Sequence, residues 1–213
     1  MNRTLFLIVM IAVLATPVFA QSQDVPKYEV AAEFTTLERE RFSSHETAPG
    51  FGGRFTYNLN RVFSLEAAGY FFPKRCFGCR EGGRVTEALG GVKVGRRFEN
   101  WGIFVKARPG VVSFSEGEFN VTGIPPSVFS AIPFERNRVT SFATDVGGGI
   151  EFYPSKRIVT RFDAGDTIIH FTKRTTNTVL FNPLTNTFTL VPITTPARTS
   201  HNFQFMASVG FRF

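Results

Sequence analysis

After its first twenty residues the chain contains no apolar run of the ~20 residues that a membrane-crossing helix needs. Any passage through a bilayer beyond that point must therefore be made by strands. Nor is there a stretch with a sustained helical period and caps, which leaves an all-β reading. Histidine, cysteine and tryptophan are scarce, at three, two and one residues. A metal centre needs clustered His, Cys or carboxylate ligands, and His45, His170 and His201 alone do not supply one. The glycine clusters Gly90-Gly91 and Gly147-Gly148-Gly149 lack the strand–loop–helix context of a phosphate loop. No metal or cofactor is expected.

What is present begins with an export leader over residues 1–20. Arg3 supplies a positive start, Leu5 to Leu14 a short apolar core, and Val18 and Ala20 the small residues that a signal peptidase reads. Cleavage after Ala20 leaves residues 21–213 as one barrel domain. The net charge of +7 would suit nucleic acid in a cytosolic protein. Export turns that reading toward anionic lipid headgroups, lipopolysaccharide and polysaccharide phosphates. The same compartment favours a disulfide between Cys76 and Cys79 over the redox role of a cytosolic C-x-x-C.

Apolar and polar residues alternate along most of the mature chain, the period of a half-buried strand. The clearest run closes it. Phe203, Phe205, Ala207, Val209, Phe211 and Phe213 share one face, and Asn202, Gln204, Ser208 and Arg212 the other. Seven further runs lie near 28–37, 51–59, 62–72, 85–95, 101–114, 139–153 and 158–171. Several approach the ~9–11 residues of a tilted strand that crosses a membrane. Connections 58–61, 96–100 and 154–157 are short and rich in turn residues, whereas 38–50, 73–84, 115–138 and 172–200 are long. Long and short alternate, so one end of an up-and-down barrel carries the turns and the other the loops, as in bacterial outer-membrane barrels.

The two faces differ in chemistry. One carries Val30, Phe34, Phe55, Phe63, Leu65, Val92, Ile103, Val105, Val146, Ile150 and Phe162. The other carries Glu29, Glu33, Arg54, Glu66, Glu87, Lys93, Lys106, Arg108, Asp145, Glu151, Arg161, Asp163 and Arg212, with acids and bases almost balanced. Period alone also fits a soluble barrel with the charged face outside. The leader, the loop asymmetry and the terminal phenylalanine favour a membrane barrel with the charges in its lumen, paired across neighbouring strands. Tyr57, Phe98, Trp101, Phe152 and Tyr153 would form one aromatic girdle, and Phe34, Phe71, Phe114, Phe142 and Phe171 the other. Strict alternation points Asp166 at lipid, and a bulge at Gly165 would turn it away.

On these features the chain resembles the small outer-membrane β-barrel family, the class that includes the transmembrane domain of outer membrane protein A. Ser208-Val209-Gly210-Phe211-Arg212-Phe213 is similar to the carboxy-terminal signal read by the barrel-assembly machinery. Phe211 and Phe213 match its aromatic ending, while glycine stands at Gly210 rather than at Ser208. The resemblance implies an eight-stranded antiparallel barrel in the bacterial outer membrane. The peptidoglycan-binding domain of some relatives has no counterpart here, so a tethering role is not carried over.

Three functions remain in view. An eight-stranded barrel has an interior just filled by side chains, which favours a structural or surface-interaction protein over a small solute channel. A lipid-modifying enzyme would need a base such as His170 or His201 beside a nucleophile such as Ser200 or Ser141; no enzyme is expected. The connection 172–200 is too long and apolar for a plain solvated loop. Its β-rich runs, with Val179 and Phe181 on one side and Phe188 and Leu190 on the other, flank turn chemistry at 182–186. They are expected to continue the last two barrel strands as a protruding hairpin that takes up a surface protein or a second copy of the chain.

Overall fold

The structure is a computed structural model that describes residues 25–41, 44–76, 79, 81–125 and 131–213. The leader and its cleavage site lie outside the described residues. Ten strands follow in chain order: β1 (Tyr28–Arg41), β2 (Ser44–Asn58), β3 (Phe63–Cys76), β4 (Gly82–Arg97), β5 (Trp101–Val121), β6 (Phe134–Phe152), β7 (Ile158–Phe171), β8 (Arg174–Asn182), β9 (Thr187–Thr195) and β10 (Arg198–Arg212). Eight of them close into the expected antiparallel barrel in the order β1-β10-β7-β6-β5-β4-β3-β2, and β8 and β9 form a two-stranded sheet of their own.

Closure removes every sheet edge from the bilayer, which lipid demands because it offers no hydrogen bonds to free backbone groups. The seam joins the chain ends: Tyr28 and Phe213 exchange two backbone hydrogen bonds of 2.9 Å. Burial alternates residue by residue along the walls, with β3 the clearest case from Phe63 to Phe72. The exposed residues are the apolar ones, among them Val30, Phe34, Phe55, Leu65, Val105, Phe162 and Val209, and the buried ones include the charged set. A soluble barrel has the opposite arrangement. The apolar outer wall and polar interior define a membrane-spanning barrel.

Several local expectations are corrected. The connection 38–50 is not a long loop, because β1 and β2 stay paired up to Arg41↔Ser44. The connection 115–138 is shortened in the same way, with β5 and β6 paired out to Val121↔Phe134 beyond a register shift between Phe114 and Glu118. Strands that rise past the bilayer keep pairing where their sequence allows it, so loop length had been overcounted. No bulge occurs at Gly165: β7 pairs in register with β6 through Gly147↔Gly165 and with β10 through Phe203↔Asp166. Asp166 therefore stays on the outward face. The hairpin does prolong the last two barrel strands as expected: the β7–β10 ladder ends at Phe171↔Arg198 and, after two unpaired positions on each side, β8 and β9 resume in the same register at Arg174↔Thr195 as a sheet of their own. Among the girdle aromatics, Phe114, Phe171 and Tyr153 are buried rather than outward.

Candidate functional site

The lumen has two layers. Its lower part, nearer the short turns, is ionic. Glu66 of β3 accepts a 2.6 Å contact from Arg161 of β7 and lies 3.8–3.9 Å from Lys93, Arg54 and Arg108. Lys93 reaches Glu151 at 2.6 Å, and Lys106 reaches Asp163 at 2.6 Å and Asp145 at 3.0 Å. Arg108 holds Asp145 at 2.7 Å, Arg161 holds Asp163 at 2.6 Å, and Arg54 holds Glu33 at 3.0 Å. These are charge-assisted bonds at the short end of their range. Inward glycines such as Gly91, Gly147 and Gly149 leave neighbouring strand backbones so close that an added Cβ would lie 2.1–2.3 Å from a carbonyl oxygen.

All thirteen charges expected on the inward face are buried in the lumen, but they are not all paired in the same way. The shortest contact to Glu66 comes from the opposite wall, not from the adjacent strands that carry Arg54 and Lys93. Glu29 is met by Arg97 at 3.0 Å. Glu87 and Arg212 have no opposite charge within 4.0 Å among the described residues. Glu87 accepts a 3.0 Å hydrogen bond from Gln204, which also donates to Thr35. Arg212 donates to the carbonyl of Ser155 and stacks on Tyr153. Sequence reasoning missed Arg39, Arg97 and Tyr70. Strand parity was the available signal for each, since Arg39 and Tyr70 share the inward phase of Glu33 and Glu66.

Above the main ion cluster the lumen is mostly apolar, with Glu87, Gln204, Thr35 and Thr167 buried among the apolar side chains. Leu37, Tyr70, Phe72, Val85, Leu89, Val112, Phe114, Ile169, Phe171 and Met206 pack into one buried cluster. Tyr70 ties the two layers together, donating its hydroxyl to Glu33 while receiving a 3.2 Å bond from Arg108. Over the plug, Arg39 donates to the carbonyls of Gly83 and Glu81. Arg198 lies over the Phe171 ring and pairs with Glu40 at 3.1 Å and with Glu81. An ionic layer and an apolar layer in series leave no open aqueous path through the described residues.

The extracellular end carries three further features. Cys76 and Cys79 form a disulfide with a Cα separation of 5.5 Å. Glu46 is beside them, and these three are the only clustered set of possible metal ligands among the described residues; the sulfurs are bonded to each other and offer no thiolate. The hairpin turns Val179, Phe181, Phe188 and Leu190 to one face through the pairs Val179↔Leu190 and Phe181↔Phe188, with the two phenylalanine rings 5.0 Å apart. It touches the barrel where Asn120 accepts from the Asn177 amide at 2.9 Å and Gly117 accepts from Arg174 at 3.4 Å. Finally, His201 and Asp166 meet at 2.5 Å on the outward wall, where the Asn202 amide also donates to Asp166 at 2.9 Å.

Neither His170 nor His201 hydrogen-bonds a serine among the described residues. His170 contacts Thr199 at 3.2 Å. Ser200 turns away from His201 and bonds Asn202 at 3.3 Å, and Ser141 is buried on the inner face of β6. At the opposite end Phe211 and Phe213 project outward with their rings 6.1 Å apart, beside Tyr28.

No protein-family model and no curated protein sequence matches the chain. Solved structures do resemble it. Neisserial surface protein A aligns with 88% of this chain and 97% of its own, at a TM-score of 0.51 and 11% identity. Outer membrane protein OprG of Pseudomonas aeruginosa aligns with 91% and 98%, at a TM-score of 0.50 and 9% identity. Ail, the attachment invasion locus protein of Yersinia pestis, aligns with 88% and 99%, at 0.47 and 13%. The likeness is one of fold: the chain has the architecture of the small bacterial outer-membrane β-barrels.

Proposed function

We propose that the protein works as a surface-interaction module, a rigid barrel anchored among outer-membrane lipids that presents the β8–β9 hairpin to a partner. The carrying observation is that this hairpin is a sheet of its own, hydrogen-bonded strand to strand over nine pairs and set above a filled lumen. Phe181 on one face and Leu180 and Ile193 on the other are exposed, and Leu184 at its tip is 94% exposed. Apolar side chains held out on an ordered scaffold are a surface for burial against another chain. Pro192 in β9 lacks an N–H and blunts strand addition along that strand, so burial of the apolar face is the favoured mode. The filled lumen speaks against a solute channel as the primary role. The partner is either a foreign surface protein or a second copy of this chain.

Deletion of residues 178–191 tests the reading. The truncated protein is expected to fold, shown by heat-modifiable gel migration, and to lose the self-association or cell-surface adhesion of the intact protein. Full retention of both activities by the folded truncation overturns it.

A further inference from the structure

One side of the extracellular rim gathers more arginines than its acids neutralise. On the β3–β6 side Arg75, Arg84, Arg136 and Arg138 are all exposed. Register gathers them around one point, the irregular stretch of β5 that holds Ser115 and Glu116. Arg84 on β4 donates its backbone amide to the Ser115 hydroxyl at 2.8 Å. Arg138 on β6 lies beside the same stretch, between the pairs Phe114↔Val139 and Glu118↔Asn137. Glu116 bridges the other two, 3.5 Å from Arg75 and in contact with Arg136. That single carboxylate pairs with two of the four arginines, and neither Arg84 nor Arg138 has an acid within 4.0 Å among the described residues. The other acids of this extension, Glu118 and Glu135, stand opposite Asn137 and Asn120, on the strand face away from Arg136. On the far side of the barrel charges are met by partners within the rim, Glu40 by Arg198 at 3.1 Å and Asp166 by His201.

Height decides what such a patch meets. Below Arg84 the outward residues of β4 run Thr86, Ala88, Gly90 and Val92, and below Arg138 those of β6 run Thr140, Phe142, Thr144 and Val146. The arginines thus sit side-on at the upper border of the apolar wall, where the outer-leaflet headgroups begin, and not on the loop tips. A guanidinium there is stabilised by an anion that it can grip through two parallel N–H groups, and phosphate fits that fork.

We infer that Arg75, Arg84, Arg136 and Arg138 form a binding site for the phosphate groups of a glycolipid in the outer leaflet, seated on the β3–β6 wall. The lipid chains would lie along Phe142, Val146 and Val111 beneath. Glu116 pairs with Arg75 and Arg136 at the centre, and Arg84 and Arg138 supply the unneutralised charge. The site is independent of the β8–β9 hairpin.

The experiment uses the full mature protein folded in detergent and passed into mixed micelles with bis-phosphorylated lipid A. Lipid retained after gel filtration is counted by native mass spectrometry. Arg84→Gln/Arg138→Gln is the test variant, and Arg61→Gln/Lys156→Gln, at the opposite end of the barrel, is the charge-matched control; heat-modifiable migration verifies that both fold. The intact protein and the control are expected to retain the lipid, and the test variant to bind it about tenfold more weakly or worse, because two basic residues at an anionic surface are lost. Dephosphorylated lipid A is expected to bind the intact protein and the test variant alike, and free inorganic phosphate to compete poorly. Equal retention by the test variant and the intact protein overturns the inference. So does equal loss in the control, which would show only a net-charge effect, or preference of the intact protein for a soluble sulfated polysaccharide over the lipid.

Discussion

Glu66 on β3 and Arg161 on β7 stand on opposite walls of the barrel, four strands apart in either direction around the ring, and meet at 2.6 Å. Both side chains are fully enclosed. The contact is a strut across the barrel's full width rather than a rung between neighbours. Removing one partner leaves the other buried without its counter-charge. Glu66→Gln is therefore expected to cost about 3–5 kcal/mol, read from urea unfolding of the barrel in lipid vesicles. Pairing it with Arg161→Met should recover part of that loss. A cost equal to the sum of the single changes would show that the two residues are not energetically coupled.

A lumen closed by ions below and by Leu37, Phe72, Val85, Phe114 and Phe171 above should not conduct. In planar bilayers the folded protein is expected to give no discrete openings above baseline. Reproducible unitary conductance from heat-modifiable protein would mean that one layer moves aside.

The spacing of β4 and β5 at Gly110 can be probed directly. A Cβ there would lie 2.0 Å from the carbonyl oxygen of Ala88, which is backbone and cannot swing clear. At Gly90 the nearest atom would be 3.7 Å away. Gly110→Ala is expected to destabilise the barrel by roughly 1–3 kcal/mol, with Gly90→Ala close to neutral. Equal midpoints for the two variants in urea would contradict the tight approach of these strands.

Asp166 and His201 face outward as a pair, close to the extracellular ends of their strands. Charges on the lipid side of a barrel lose most of their cost near the interface. Asp166→Leu/His201→Leu should then change stability by no more than about 1 kcal/mol. His201→Leu alone should be the less stable form, because it strips Asp166 of its partner. A loss of several kcal/mol in the double variant would make the pair a structural clamp.

The period of two made the inside and outside of the barrel readable, because lipid and lumen impose opposite chemistry on alternate residues of every strand. The plug was hidden by the same logic. Phe114 shares the phase of Lys106 and Arg108, and Phe171 that of Arg161 and Asp163, yet an aromatic near a strand end reads as girdle whichever way it points. The Glu66–Arg161 strut could not be read at all. Linear spacing identifies neighbours on adjacent strands, and only ring closure decides which residues face each other across the lumen. Loop lengths misled for a further reason: the sequence marks where the apolar wall stops, not where backbone pairing stops, and β5 and β6 continue past that border to Val121↔Phe134.

The ladder between β7 and β10 pauses at Phe171↔Arg198, so the sheet from Arg174 to Thr195 stands clear of the closed wall. Its two strands pair with each other, and only a few of its groups, Arg174 and Asn177 among them, bond to the wall. Mutations there are screened neither by the bilayer nor by the packing of the lumen. This segment is accordingly the part of the molecule most open to diversification, and one barrel can carry a succession of different recognition surfaces while its own folding stays the same.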